Sequence, residues 1–133
     1  MLSVQGGGVT GAQNKIVLIC EDEANIRESI RYVVNKAGFE SVMAVDGIEA
    51  YDKARTVHPD LILLDVGMPG MTGFDVCDRL RADADFKAVK IVVLTAYGQI
   101  ADQERAAEVG ADRFMVKPFS PRDLKQLLCE MLV

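Results

Sequence analysis

The chain has 133 residues, half of them hydrophobic, and a formal net charge of −5. This length corresponds to one domain, which can bury its own core without disulfides or structural metals. The negative charge and the lack of a basic cluster weigh against direct binding of nucleic acid or an anionic membrane surface. No apolar run approaches the roughly 20 residues that span a bilayer, and the N-terminus lacks a secretory signal.

The cysteines and the first residues indicate where the protein works and where its domain begins. Cys20, Cys77 and Cys129 are far apart and have neither a metal-binding nor a CxxC spacing. Reduced, mostly buried cysteines of this kind are typical of a cytoplasmic protein. Residues 1–14 combine glycines with few apolar side chains. We therefore expect a flexible leader, followed by one domain over residues 15–133.

Strand-like segments recur along the chain. Short apolar runs bounded by turn residues predict strands at residues 16–20, 41–45, 61–64, 91–94 and 114–116. The first, third and fourth runs are continuously apolar, as in strands buried on both faces of a parallel sheet.

A helical pattern follows each strand. Apolar residues at helical spacing predict helices over 26–37, from Asp46 to before Pro59, from Thr72 onward, over about 100–109, and from Ser120 onward. Asp46 with Glu49 and Thr72 with Asp75 have the spacing of capping boxes, and Pro121 suits the start of the last helix. The helix near residues 100–109 carries few large apolar side chains, so we expect it to be loosely held.

Five strands alternating with five helices predict an α/β fold whose parallel sheet is covered on both faces. Right-handed crossovers make such a sheet doubly wound. Ligands of these folds bind beyond the carboxyl ends of the strands. The residues that follow the strands are therefore the first candidates for function.

Polar side chains stand at four of these strand ends. Glu21 and Asp22 follow the first strand, Asp65 the third, Thr95 the fourth and Lys117 the fifth. Since the carboxyl ends of parallel strands share one edge of the sheet, three acids, a hydroxyl and an ammonium converge there.

This group of side chains suits a divalent cation and a phosphoryl group. Clustered carboxylates repel one another, and Mg²⁺, which prefers oxygen ligands, offsets that repulsion. Asp22 and Asp65 can bind it directly, Glu21 through a water, and a carbonyl of the loop after Asp65 can add a ligand. The Asp65 carboxylate can attack phosphorus, while Lys117 and Thr95 contact the phosphoryl oxygens.

Four segments in this order resemble the receiver domains of response regulators, a family that includes the stand-alone chemotaxis regulator. They are Glu21-Asp22 after the run 17–20, the segment 63–70 around Asp65, Thr95-Ala96, and Lys117-Pro118-Phe119. The resemblance covers about residues 14–133. It implies a flavodoxin-like fold, with a five-stranded parallel sheet of order 2-1-3-4-5 and five helices.

The resemblance also implies a role for each site residue. Asp65 would be the phosphoacceptor, Thr95 and Lys117 would contact the phosphate, and the Lys117-Pro118 bond would be cis. Magnesium would be bound by Glu21, Asp22, Asp65 and the carbonyl of Gly67.

A receiver domain is a switch, so the resemblance implies partners and no turnover enzyme activity. The donor would be a sensor histidine kinase or a phosphotransfer protein, and the output a downstream effector domain or protein. The output face would be formed by the fourth helix, fifth strand and fifth helix, near Arg113, Arg122 and Lys125. Phe114 stands where many members have tyrosine, which leaves a rotamer switch there open. By the same resemblance, Gly67 and Tyr97 would flank the path of an attacking water, and we hypothesise slow to moderate self-dephosphorylation.

Two other functions are compatible with parts of the pattern. A Mg²⁺-dependent phosphohydrolase often has an aspartate two residues after its nucleophile, and Gly67 at that position disfavours this reading. A degenerate receiver that acts only as a scaffold would not need all five site residues. His58, the only histidine, is expected to be a surface loop residue and not a phosphate relay. The chain fits either a single-domain regulator or a domain of a larger protein.

Overall fold

The computed structural model describes residues 15–96 and 100–133, so the predicted leader and Tyr97 lie outside the described residues. The strands are β1 (Ile16–Cys20), β2 (Glu40–Ala44), β3 (Leu61–Asp65), β4 (Lys90–Thr95) and β5 (Arg113–Val116). The helices are α1 (Ala24–Lys36), α2 (Gly47–Val57), α3 (Gly73–Arg81), α4 (Ile100–Glu108) and α5 (Pro121–Leu132). All pairs of neighbouring strands are parallel, in the order β2-β1-β3-β4-β5. The predicted doubly wound α/β fold is confirmed.

Each face of the sheet packs against its own layer of helices. Successive side chains of a strand point to opposite faces, so Val17 and Ile19 belong to one core cluster and Leu18 and Cys20 to the other. The first cluster includes buried residues of α1 and α5, and the second includes buried residues of α2 and α3. The central strands are thus buried on both sides, as their continuous apolar runs predict.

The helix starts agree closely with the capping signals. Thr72 and Asp75 form a complete capping box at α3, and the Ser120 side chain accepts the Asp123 N–H at α5. The Asp46 carboxylate accepts the Glu49 N–H at α2, as predicted. The return bond of that capping box is different, because the Glu49 carboxylate accepts the N–H of Val45 and not that of Asp46.

The boundaries of four strands, β2 to β5, and of two helices, α1 and α4, differ by one or two residues from the prediction. β2 begins at Glu40, whose N–H donates to the carbonyl of Lys15, so it covers 40–44 instead of 41–45. β5 begins at Arg113, opposite Val92, and α4 ends at Glu108. Backbone pairing extends these strands beyond the apolar runs on which the prediction depended. A short 3-10 turn at residues 84–86 buries Phe86 and was not predicted.

The fourth helix is weakly packed. Among the side chains of α4 that the structure describes, Ala106 alone is buried. The segment between α4 and β5 is held by Arg81, which donates to the carbonyl of Gly110 at 2.8 Å and forms an ion pair with Asp112 at 2.8 Å. None of the helices in the described ranges is long and apolar enough to cross a membrane.

Candidate functional site

The carboxyl ends of the strands bring the predicted acidic residues together. Carboxylate oxygens of Glu21, Asp22 and Asp65 all lie within 4.8 Å of one another. Glu21 is fully buried and Asp65 is 5% exposed, whereas Asp22 faces solvent. Two acids that are poorly hydrated thus stand beside a third that is open to solvent.

Lys117 joins two of these acids. Its Nζ donates to Glu21 Oε1 at 3.0 Å and lies 3.2 Å from Asp65 Oδ1. The backbone of Lys117 is fixed at the same edge, because its N–H donates to the carbonyl of Thr95 at 2.7 Å. Lys117 therefore supplies one positive charge to a cluster of three carboxylates.

Burial and charge shift the pKa of both groups in the pair. Burial raises the pKa of the Glu21 carboxyl; the hydrogen bond from Lys117 opposes this rise, and the charge of Asp65 adds to it. Burial lowers the pKa of the Lys117 ammonium, but its hydrogen bond to Glu21 and the charge of Asp65 outweigh burial and raise it. The ammonium is thus retained at neutral pH.

The loop after β3 contacts the Asp65 carboxylate and leaves it accessible. The N–H of Gly67 donates to Asp65 Oδ1 at 3.3 Å. A Cβ at Gly67 would lie 3.8 Å from Asp65 Oδ2, so the absence of a side chain leaves the carboxylate accessible. At Gly73, a Cβ would come within 2.6 Å of the Asp65 carbonyl oxygen. Glycine is therefore required where α3 packs against the strand end.

Thr95 completes the edge on the β4 side. It is the last residue of β4 and is 1% exposed, while the adjacent Ala96 is exposed. Leu94 pairs with Asp65 across the sheet, which places Thr95 one residue further toward the site. The structure thus brings all the predicted site residues to one edge: Glu21, Asp22, Asp65, Gly67, Thr95 and Lys117.

The chemistry of the donors fits a hard divalent cation. The available donors are carboxylate and carbonyl oxygens, which Mg²⁺ prefers in proteins. The three carboxylates outnumber the single ammonium, so an added cation lowers the repulsion within the cluster. The residues at this edge are therefore suited to hold Mg²⁺.

One residue at the site was missed by the sequence reasoning. Arg27, in the first turn of α1, donates from Nη1 to the carbonyl oxygens of Glu21 and Asp22, at 2.8 and 3.2 Å. A basic residue one turn into the helix that follows an acidic pair is the signal that could have indicated it.

Residues outside this cluster also agree with the sequence reasoning. The Lys117-Pro118 peptide bond is cis, as the resemblance implies. Phe114 is half-buried on β5. His58 is exposed at the C-terminal end of α2, where its ring stacks on Phe86 with the centroids 5.5 Å apart. This surface position confirms that His58 stands apart from the strand-end site.

A doubly wound sheet that gathers acids and a lysine at its carboxyl edge is typical of the signalling modules called receiver domains. The family model of the response regulator receiver domain matches residues 17–129. The chain belongs to this family and is a receiver domain of the two-component response regulators.

Relatives and solved structures agree with this assignment. A probable transcriptional regulator ycf27 of Cyanophora paradoxa is 40% identical over 118 residues, covering 89% of this chain and 48% of the relative. The DNA-binding response regulator MtrA of Mycobacterium leprae is 41% identical over 108 residues, covering 81% of this chain and 47% of the relative. The chain thus spans about half the length of the curated relatives it matches. The chemotaxis response regulator CheY4 of Vibrio cholerae has a TM-score of 0.85 and 34% identity, covering 90% of this chain and 100% of that one.

Proposed function

We propose that Asp65 accepts a phosphoryl group from a histidine kinase or a phosphotransfer protein, in a reaction that depends on Mg²⁺. One observation carries the proposal: the nearly buried Asp65 carboxylate lies 3.2 Å from the Lys117 ammonium, within the cluster that includes Glu21 and Asp22. A nucleophilic oxygen, positive charge and cation ligands therefore meet at one point.

Magnesium would be held by the three carboxylates and by the carbonyl of Gly67. When bound, Mg²⁺ supplies positive charge that offsets the carboxylates and the phosphoryl oxygens. Glu21 is fixed for this role, because Oε1 accepts from Lys117 and Oε2 accepts from the N–H of Glu23 at 3.2 Å. Asp22 is exposed and is the carboxylate most accessible from solution.

The transfer itself uses the Asp65 carboxylate as nucleophile. A carboxylate oxygen forms a bond to phosphorus as the phosphorus–nitrogen bond of the phosphohistidine breaks, and the electron pair of that bond stays on the imidazole. Lys117 donates to a phosphoryl oxygen, and the hydroxyl of Thr95 donates to another. The product is an aspartyl phosphate at the edge of the sheet.

A groove beside the site suits a protein donor. This cavity of about 530 Å³ is lined by Ile26 and Ile30 of α1 and by Pro118 and Phe119 after β5. Lys117 lines it as well and lies 3.2 Å from Asp65, so the groove is next to the proposed phosphoacceptor site. A donor that docks there brings its phosphohistidine close to Asp65.

Phosphorylation would switch the surface of α4, β5 and α5. A phosphoryl group that draws Thr95 inward changes the packing behind β5, where Phe114 is half-buried. Because Ala106 is the one buried side chain that the structure describes in α4, this helix would shift at low cost. This surface would contact the effector domain or protein, and the receiver itself would bind no nucleic acid and no membrane.

The aspartyl phosphate would be lost by slow to moderate self-dephosphorylation. Gly67 has no side chain to orient an attacking water, although a Cβ at this position would lie only 3.8 Å from Asp65 Oδ2. A half-life of seconds in the wild type, lengthened by Gly67→Asn, would contradict this part of the proposal. The assay is the decay of the phosphorylated mass after the donor is removed.

Incubation with acetyl phosphate and Mg²⁺, followed by intact-mass spectrometry, tests the proposal. We expect one added phosphoryl group, which is absent in Asp65→Asn and in the presence of EDTA. The matched control is Asp78→Asn, an exposed aspartate of α3, which should be phosphorylated like the wild type. No adduct, or an equal adduct in Asp65→Asn, would refute the assignment. Turnover of a small phosphate ester would indicate a phosphohydrolase instead.

A further inference from the structure

Arg27 makes contacts that phosphoryl transfer does not explain. It is the fourth residue of α1, and its half-buried side chain turns back toward the end of β1. One guanidinium nitrogen, Nη1, donates to the carbonyl oxygen of Glu21 at 2.8 Å and to that of Asp22 at 3.2 Å. Its own backbone N–H donates to the carbonyl of Glu23 at 2.9 Å. Arg27 therefore contacts the main chain of the acidic pair.

Arg27 donates to backbone carbonyls although carboxylates lie nearby. A guanidinium binds a carboxylate more strongly than a neutral carbonyl, and three carboxylates cluster at the end of the same strand. In the described ranges, however, Arg27 forms no ion pair with any of them, and its side chain bonds to two consecutive carbonyls. Arg27 thus leaves the carboxylates available to other ligands and fixes the backbone that carries them.

Fixing these carbonyls orients the adjacent amides. Because a peptide unit is planar, the direction of the Asp22 carbonyl sets the direction of the Glu23 N–H. That N–H donates to Glu21 Oε2 at 3.2 Å. The contact from Arg27 is therefore transmitted to one carboxylate oxygen of Glu21, while Lys117 holds the other.

We propose that Arg27 is a positioning residue for the Mg²⁺ site, which holds the turn over residues 21–23 so that the two acidic side chains point at the cation. This inference rests on the proposed function. Groups that orient metal ligands from behind typically change metal affinity by about 10- to 100-fold when they are removed.

The sign of the effect separates positioning from simple charge. A guanidinium near a cation site repels the cation, so its removal should strengthen Mg²⁺ binding if charge alone matters. If Arg27 positions the turn, its removal should weaken binding despite the loss of repulsion. The two explanations predict opposite changes in Kd.

The experiment compares Arg27→Ala and Arg27→Lys with the wild type by isothermal titration calorimetry of Mg²⁺ into metal-free protein. We expect the Kd to rise about 10-fold in Arg27→Ala and by less in Arg27→Lys, which keeps a donor. The matched control is Arg31→Ala, one turn further along α1, where the arginine pairs with Glu28 in solvent. Its Kd should equal that of the wild type.

Hydrogen exchange of the Glu23 amide provides a second readout that does not depend on the metal. In metal-free protein, Arg27→Ala should exchange this amide faster than the wild type, while the thermal midpoint changes little. If Arg27→Ala has an unchanged or lower Kd for Mg²⁺, and its Glu23 amide exchanges at the wild-type rate, the role of Arg27 is refuted while the proposed function stands. A wild type that binds no Mg²⁺ would refute the proposed function and this inference with it.

Discussion

Replacing Asp65, the proposed phosphoacceptor, should make the metal-free protein more stable. Asp65→Asn removes one of three clustered carboxylates and keeps the shape of the side chain. The amide oxygen can still accept the Gly67 N–H, and Lys117 keeps its hydrogen bond to Glu21. The substitution therefore changes mainly the electrostatic energy of the site.

The distances give the size of this change. At an effective dielectric constant of about 20, the attraction between Asp65 and Lys117 at 3.2 Å is about 5 kcal/mol. The repulsion from Glu21 and Asp22, with oxygens within 4.8 Å, is about 3.5 kcal/mol for each acid and about 7 kcal/mol together. The excess repulsion is thus about 2 kcal/mol, which solvent around the exposed Asp22 reduces to about 1 kcal/mol.

Urea unfolding in EDTA measures the stability of the metal-free proteins, and urea unfolding with Mg²⁺ measures how much the cation stabilises each of them. In EDTA, Asp65→Asn should exceed the wild type by about 1 kcal/mol in free energy of unfolding. With Mg²⁺ at about 100 times its Kd, the wild type should gain about 2.7 kcal/mol and the variant much less, so that their order reverses. Asp78→Asn, with the same change in charge, should stay within about 0.5 kcal/mol of the wild type. The prediction would be refuted if Asp65→Asn were less stable than the wild type in EDTA, or if Mg²⁺ did not change the free energy of unfolding of the wild type.

Three further predictions concern the lysine, the arginine at the end of α3 and the cysteines. In metal-free Lys117→Gln, the lysine no longer opposes the burial that raises the pKa of Glu21 above its ordinary value of 4.5, and the hydrogen bond from the Glu23 N–H opposes it only in part, so folding takes up a proton there. The stability that depends on this proton is lost as pH rises above 4.5. The free energy of unfolding of the variant, measured in urea, should therefore fall further below that of the wild type toward neutral pH. A difference that does not change with pH would contradict this prediction. Arg81→Ala, which loses an ion pair and several hydrogen bonds to carbonyls, should lower the free energy of unfolding by about 2 kcal/mol, and an unchanged urea midpoint would oppose this expectation. Burial raises the pKa of the Cys77 thiol to about 11, so a thiol reagent should modify the half-buried Cys129 first, and rapid reaction at Cys77 in native protein would argue against its burial.

The strand-end site can be predicted from the sequence because each strand, and the polar residue that follows it, is recognisable within a short segment of the chain. The continuous apolar runs that end at Cys20 and Leu64 are pairing partners in the sheet, with Cys20 opposite Leu64. Once parallel pairing is accepted, the residues after each run must share one edge. The order of the strands therefore predicts that the acids and Lys117 lie together.

The parts that the sequence did not predict depend on contacts between distant segments. Arg81 reaches Gly110 and Asp112, about thirty positions away, and no periodicity signals such a contact. The Arg27 side chain bonds to backbone carbonyls, which every residue offers, so its place after the acidic pair could have indicated the residue but not the atoms that it contacts. The one-residue shift of β2 arises because Glu40 pairs through its backbone while its side chain remains exposed.

The most direct test of the central claim is to locate the phosphoryl group. Protein phosphorylated with acetyl phosphate and Mg²⁺ is reduced with borohydride, which converts an aspartyl phosphate to homoserine, and is then digested and sequenced by tandem mass spectrometry. We expect homoserine at position 65 and unmodified aspartate at position 22. Homoserine at another position, or a phosphoryl group on a hydroxyl or histidine side chain, would contradict the account.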